Sequence, residues 1–348
     1  MATTESGLTP TDDFDYQLPG EAIAQRPLAD RSASRMLVLG ADGQAVDAQL
    51  SGLPGLLRAG DCLVVNDTRV RAARLRGTVG DRAGEVLILR DLGPNRFLAL
   101  VRPARILRPG RALDGLGWRV RVKSSWEGHA AGREVVLELD PGIDPASIGE
   151  VPLPPYVKER LTDPERYQTV YSKGAGVSAA APTAGLHLTP RLLAEIKARG
   201  VTFCRVQLEV GIATFAPIRT ATIEAHPMHP ERYRITERAA DQVRAARSAG
   251  GRVVAVGTTA VRCLESSPDH QGGVLAGSGE TNLYLRPGAP FRVVDGLLTN
   301  FHQPRSSLLV LVSALYGRER IQAAYSQALD WGYRFLSFGD CMFGWRLP

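Results

Sequence analysis

At 348 residues, with 44% hydrophobic and 22% charged side chains, the chain has length for two domains and the composition of a soluble globular protein. Residues 1–15 are polar and acidic, and the longest apolar run, residues 308–316, is far short of a bilayer crossing, so neither a signal peptide nor a membrane span is expected. The formal charge of +6 is confined to residues 66–140, which hold 15 Lys/Arg against 9 Asp/Glu; such a block suits a polyanion such as RNA, or protects strand edges from aggregation.

Residues 14–19 and 23–27 read as a lead-in to a short strand at 36–39. Arg31 and Arg35, set around serines, offer a grip for an anion or form a charged turn. An apolar strand then ends in Asn66-Asp67-Thr68-Arg69. Strand ends are where sites are assembled, although Asn and Asp there also close turns on their own backbone. Beyond Arg74 the pattern changes to short β-like runs at 73–79, 85–89, 97–101, 118–122 and 134–139, parted by Gly-Asp, Gly-Pro-Asn, Pro-Gly and Gly-His turns with no helix between them. This spacing predicts a small barrel of five or six strands. The flanking segments are α/β in pattern. The fold class expected is therefore a mixed α/β main domain, residues 1–65 and 152–348, interrupted by an inserted β-barrel domain, residues 66–151.

After Pro152, Pro154 and Pro155 comes Ser178-Ala-Ala-Ala-Pro-Thr-Ala-Gly-Leu-His-Leu-Thr189, which has no bulky side chain from Ala179 to Gly185. Thr183 and His187 are its polar groups ahead of a helix that Thr189 caps, Pro190 opens and Gly200 ends, with Leu192, Leu193 and Ile196 on one face. Such a stretch is a binding loop whose backbone approaches a ligand, or a tight crossover between packed elements. In the alternating strand Val206, Leu208, Val210, Glu209 on the polar side is a base or hydroxyl ligand, or a solvated outward residue. It leads into residues 211–215. His226-Pro-Met-His-Pro-Glu231 follows, whose prolines forbid a helical HxxxH pair; with no third strong ligand nearby, no metal site is expected. Cys62, Cys204, Cys263 and Cys341 lack zinc spacing and read as reduced, mostly buried thiols of a cytoplasmic protein.

A helix is expected over 237–249. A buried strand at 252–256 then runs into Gly257-Thr258-Thr259 and a helix with Arg262 and Glu265. Hydroxyls and free N–H groups at that helix start suit a nucleotide-like ligand, although the glycines and lysine of GxGxxG and GxxxxGK[ST] are absent. Two further strands are expected at 281–288 and 293–302, then an apolar helix at 306–315 and a final strand at 333–340 bearing Arg334 and Asp340.

Eight pieces, in order, resemble the S-adenosylmethionine:tRNA ribosyltransferase-isomerases of queuosine synthesis: Asn66-Asp-Thr-Arg69, Leu153-Pro-Pro-Tyr156, Tyr167-Gln-Thr-Val-Tyr171, Ala180-Ala-Pro-Thr-Ala-Gly-Leu-His187, Met228-His229 with Glu231, Ala255-Val-Gly-Thr-Thr259 with Arg262 and Glu265, Leu298-Thr-Asn-Phe-His302, and Tyr333-Arg-Phe335 with Gly339-Asp340. The resemblance implies an α/β domain interrupted by a β-barrel. It also implies a reaction in which the ribosyl part of S-adenosylmethionine moves to the aminomethyl group of a 7-deazaguanine at the tRNA wobble position, giving epoxyqueuosine with loss of adenine and methionine. S-adenosylmethionine would be co-substrate with no further cofactor, and the partner a tRNA with a GUN-type anticodon, met by a monomer. The sequence departs from the family pattern at Glu209, where histidine is common, and at Leu188, Ala213, Ser307 and Phe338.

That chemistry needs a base beside the sulfonium and help for the departing purine. The resemblance makes His187, Glu209, His229, Asp295 and His302 the candidates. Thr183, Thr258, Thr259 and Asn300 would hold ribose or methionine groups, Arg262 the methionine carboxylate, and Arg69, Arg74 and Arg102 the RNA, whose anticodon base is extruded. A non-catalytic tRNA-binding relative, with Glu209 marking a lost site, and an unrelated nucleotide-dependent enzyme are the rival readings; fold does not separate them.

Overall fold

The computed structural model describes residues 7–40, 43–127, 131–143, 147–174, 176–211 and 216–346. The expected Gly128-His129 turn and residues 212–215, Ala213 among them, lie outside these. The chain divides into two compact units, one of Met1–Thr68, Pro154–Lys173 and Ala181–Pro348, the other of Arg69–Leu153 and Gly174–Ala180. The first unit opens with β1 (Arg35–Leu39), β2 (Ala45–Gln49), the one-turn helix α1 (Leu53–Leu56) and β3 (Cys62–Asn66). The second supplies β4 (Arg74–Val79), β5 (Arg82–Gly93), β6 (Arg96–Arg102), β7 (Ala112–Gly115), β8 (Trp118–Ser125) and β9 (Gly132–Leu139). The first resumes with α2 (Pro190–Ala198), β10 (Thr202–Leu208), β11 (Glu231–Ile235), α3 (Glu237–Ser248), β12 (Val253–Val256), α4 (Thr258–Glu265), β13 (Gly277–Thr281), β14 (Gly296–Asn300), α5 (Ser307–Tyr316), α6 (Arg318–Asp330) and β15 (Cys341–Trp345).

The first unit is built on a nine-stranded sheet ordered β13-β11-β10-β3-β12-β14-β15-β1-β2. Its centre, β10, β3, β12 and β14, is parallel, with Cys204, Val64, Ala255 and Leu297 in one row. Helices cover both faces, which is why β3 and β12 are apolar without alternation. On one face Leu63, Val65, Val254, Val256 and Leu298 pack with Leu192, Leu193 and Ile196 of α2. On the other, Cys204 Sγ reaches the Ala239 carbonyl of α3 at 3.6 Å, and Cys263 Sγ of α4 reaches the Gln207 carbonyl at 3.7 Å. All four cysteines are free and buried. No helix among the described residues is long and apolar enough to cross a membrane.

The second unit contains a closed barrel, β4-β5-β6-β9-β8-β7. It closes where Thr78 of β4 pairs with Asp114 of β7. A Cβ at the neighbouring Gly77 would lie 2.1 Å from the Asp114 carbonyl oxygen, so only glycine lets the two strands meet.

The expected helix ends are found: Thr189 Oγ1 accepts the Leu192 N–H at 3.1 Å, Ser306 caps α5, and Gly200 has φ 79°. Two expectations are corrected. The strand expected at 281–288 lies earlier, as β13 ending at Thr281, because its pairing partner β11 ends opposite that residue. The final strand expected at 333–340 is a turn with Leu336 at φ 70°, held by Asp340, whose carboxylate accepts the Arg334 and Arg35 N–H groups at 2.8 and 3.1 Å; the strand is β15. Helix α6 and strands β2 and β7 were not expected.

Candidate active site

Small residues and hydroxyls converge at the carboxyl ends of β12 and β14, where ligands bind in open parallel sheets. Gly257, Thr258 and Thr259 from the β12–α4 junction, Thr299, Asn300 and His302 from the end of β14, and residues 181–184 line a hollow, together with Tyr156 and Ser337. The central stretch serves both uses its sequence allowed. Residues 181–184 face the hollow, whereas Gly185 packs inward: a Cβ there would lie 1.9 Å from Tyr171 Oη. Thr183–His187 forms one 3-10 turn rather than an open loop.

Within the wall, Thr183 Oγ1 donates to Asn300 Oδ1 at 3.0 Å, and Asn300 Nδ2 lies 2.9 Å from His187 Nε2. His187 Nδ1 meets Ser34 Oγ at 2.8 Å. The ring is buried behind Asn300, and burial lowers its pKa to about 4, with Asp340 opposing and Arg334 and Arg31 adding to the shift. His302 is also buried; its Nε2 lies 3.2 Å from Thr299 Oγ1, its Nδ1 3.1 Å from Tyr325 Oη, and burial lowers its pKa to about 3. Thr259 Oγ1 is buried without a hydrogen-bond partner among the described residues. Tyr156 Oη and Ser337 Oγ share a 2.6 Å hydrogen bond on another side.

Of the residues singled out in the sequence, Thr183, Thr258, Thr259, Asn300 and His302 line this hollow, with His187 directly behind it. The others are elsewhere. Asp295 sits at the amino end of β14, where its Oδ2 accepts from Arg247 Nη1 at 2.6 Å and from the Val253 N–H at 2.7 Å; its carboxylate ties strands together far from their carboxyl ends. Arg262 donates to Glu231 and to the Leu283 and Thr281 carbonyls, so a buried carboxylate and two backbone oxygens occupy the guanidinium expected to meet a substrate carboxylate. Arg31 and Arg35 likewise spend their donors on protein, Arg31 on the Gln168 and Glu165 carbonyls and Arg35 on Asp47 and the Trp331 carbonyl. Asn66 bridges β3 and β10 through both Leu208 backbone groups at 3.0 Å. Exposed His229 lines a second hollow with His226, Glu231 and Tyr284, and Glu209 lines a third with Gln207, Arg232 and Glu280.

In the barrel unit, Arg74 lies 3.6 Å from Glu85 and donates to the Leu153 carbonyl, Arg69 is half-buried, and Arg102 is exposed at the end of β6. Thr299, Tyr156 and Ser337 belong to or adjoin the quoted motifs but were not assigned a role. Tyr325 lies on α6, where no sequence signal pointed to the site.

A family model described as queuosine biosynthesis protein matches residues 11–343. The chain belongs to this family. Among its relatives are the S-adenosylmethionine:tRNA ribosyltransferase-isomerases of Desulforamulus reducens, 46% identical over 95% of this chain and 98% of the relative, and of Pelotomaculum thermopropionicum, 47% identical over the same shares. The crystal structure of S-adenosylmethionine tRNA ribosyltransferase from Thermotoga maritima matches with a TM-score of 0.55 and 32% identity over 95% of this chain and 99% of that one. The resemblance read from the eight motifs is borne out, as is the α/β fold with a barrel. Of the positions read in the sequence as departures, Leu188 lies in the core, Phe338 packs edge-on to Tyr167 at 5.8 Å, Ser307 begins α5, and Glu209 lies outside the first hollow.

Proposed function

We infer that this chain is an S-adenosylmethionine:tRNA ribosyltransferase-isomerase. It moves the ribosyl moiety of its co-substrate S-adenosylmethionine onto 7-aminomethyl-7-deazaguanine at the wobble position of a tRNA with a GUN-type anticodon, and isomerises it to give epoxyqueuosine, releasing adenine and methionine. In this reading it works as a cytoplasmic monomer, with the α/β domain carrying the chemistry and the inserted barrel contacting RNA. The supporting observation is the convergence of Thr183, Thr258, Thr259 and Asn300 on one hollow at the sheet's carboxyl ends, in a chain 46–47% identical to relatives of that name. Hydroxyls and an amide bind ribose and purine edges without an ionised group. His187 orients Asn300. Of the five proton-transfer candidates, His229 is the histidine whose ring reaches solvent, and it is assigned to base chemistry; its hollow shares Leu308 with the first.

The test mixes the purified protein with S-adenosylmethionine and tRNA bearing the aminomethyl-deazaguanine, and follows adenine release with the mass of the modified nucleoside. Both products appearing together are expected. Binding of tRNA with neither product would overturn the assignment in favour of a non-catalytic relative.

A further inference from the structure

The imidazole in the wall of the hollow is held in one tautomer by a residue outside the motifs. The backbone N–H of His302 donates to Tyr325 Oη at 3.0 Å, so that oxygen is already an acceptor. Its own proton then has His302 Nδ1, at 3.1 Å, as its acceptor. Were Nδ1 protonated instead, two N–H groups would point at one phenol oxygen, and the phenol proton would be buried with no other acceptor bonded to it among the described residues. Such an orphan bears its full desolvation penalty with no bond to offset it. Tyr325 cannot turn away, because Tyr16, Phe301 and Phe335 pack on its ring with centroids at 5.3, 5.3 and 5.8 Å. The His302 carbonyl is pinned as well, accepting from Tyr16 Oη at 2.5 Å.

We propose that Tyr325 is a positioning residue that fixes His302 as a neutral Nε2–H donor, and that this N–H, which here meets Thr299 Oγ1 at 3.2 Å, is shared with or passed to an acceptor atom of the adenosyl group, a purine ring nitrogen or a ribose oxygen, so that His302 donates a hydrogen bond rather than removing a proton. This rests on reading the hollow as the S-adenosylmethionine site. Negative charge develops on the purine as it leaves, and a pre-oriented N–H in a water-poor hollow stabilises it without reorganising. A base, by contrast, would need the Nε2 lone pair that this tautomer replaces with a proton. The Thr259 hydroxyl, buried and without a partner among the described residues, offers a second polar contact in the same wall.

Nitrogen-15 NMR of the full-length, histidine-labelled protein reads the tautomer directly, without turnover. In the wild type, His302 should show a protonated Nε2 and a bare Nδ1 near neutral pH, and Tyr325→Phe should lose that preference. An Nδ1–H signal in the wild type would overturn the proposal. In adenine release, His302→Gln keeps an N–H near the Nε2 position and should stay within about tenfold of wild type in kcat, while His302→Leu should fall roughly 10²- to 10³-fold with little change in KM. Folded Gln and Leu variants that are equally inactive would also overturn it. Failure of the wild type to release adenine would instead strike the parent assignment, leaving the NMR result to stand on its own.

Discussion

His187 is held by hydrogen bonds on both ring nitrogens, and their direction settles its protonation. The Asn300 amide donates to Nε2 and to the Leu336 carbonyl, so Nδ1 carries the proton and donates to Ser34, which in turn donates to the Arg31 carbonyl. A second proton on Nε2 would face the amide N–H, in agreement with a pKa lowered to about 4. Between the ordinary value near 6.5 and about 4, the unfolded chain takes up a proton that the folded chain refuses. Stability is therefore complete above that window and declines as pH falls through it, by about 3 kcal/mol for this group. Urea unfolding at neutral pH and at pH 5 should show the loss, and His187→Gln, which keeps an acceptor for Asn300, should reduce it to the share that the equally buried His302 contributes; an unchanged slope would refute the buried neutral ring. Arg262 provides a second case. Arg262→Met strands the buried Glu231 carboxylate and should cost about 3–5 kcal/mol, whereas adding Glu231→Gln, which still accepts the Gly211 N–H, should recover most of it. Recovery failing in the double variant would assign Arg262 a role beyond the ion pair.

At the scale of elements, the barrel's basic excess divides into paired and unpaired arginines. Arg71, just ahead of β4, and Arg96, Arg119 and Arg121 on the strands are bonded to Asp91, Glu134, Asp114 and Glu138. From the end of β6 to the start of β7, Arg102, Arg105, Arg108 and Arg111 are exposed, and none forms an ion pair among the described residues. This segment is the stronger candidate for binding phosphate than Arg74. Changing all four to Gln should weaken tRNA binding and lower the slope of log affinity against log salt by about 0.7–0.9 for each phosphate that is no longer neutralised. An unaltered slope would place the RNA elsewhere. The barrel itself was legible because alternation and turn residues are local signals; β7 escaped because it is four residues ending in Gly115-Leu116-Gly117. Helix α2 was legible from its caps and α5 from its apolar run. The strand expected at 333–340 was not, because the alternating Tyr333 and Phe335 reflect aromatic packing on Phe301 rather than pairing. The ion pairs of Asp295 and Arg262 were not legible for a related reason: their partners Arg247 and Glu231 lie 48 and 31 residues away, and sequence spacing carries no trace of such pairs.

Over the whole molecule, charge is partitioned between two kinds of ligand. The formal +6 lies within residues 66–140, and the rest of the chain is balanced. The hollow at the ends of β12 and β14 is lined, among the described residues, by hydroxyls, amides and apolar groups; its ionisable members, His302 and Tyr156, are both held uncharged by burial. Salt screens interactions between exposed charges and releases the counterions of nucleic acid, but acts little on hydrogen bonds inside a neutral wall. The two binding steps should therefore separate on one variable. Titration calorimetry of S-adenosylmethionine, at salt concentrations across which tRNA affinity falls by about 10³ or more, should show less than roughly a twofold change. A co-substrate affinity that falls in parallel with that of tRNA would require an ionised residue at its site, and would move the assignment from the neutral hollow to the one that Arg262, Glu231 and His229 line.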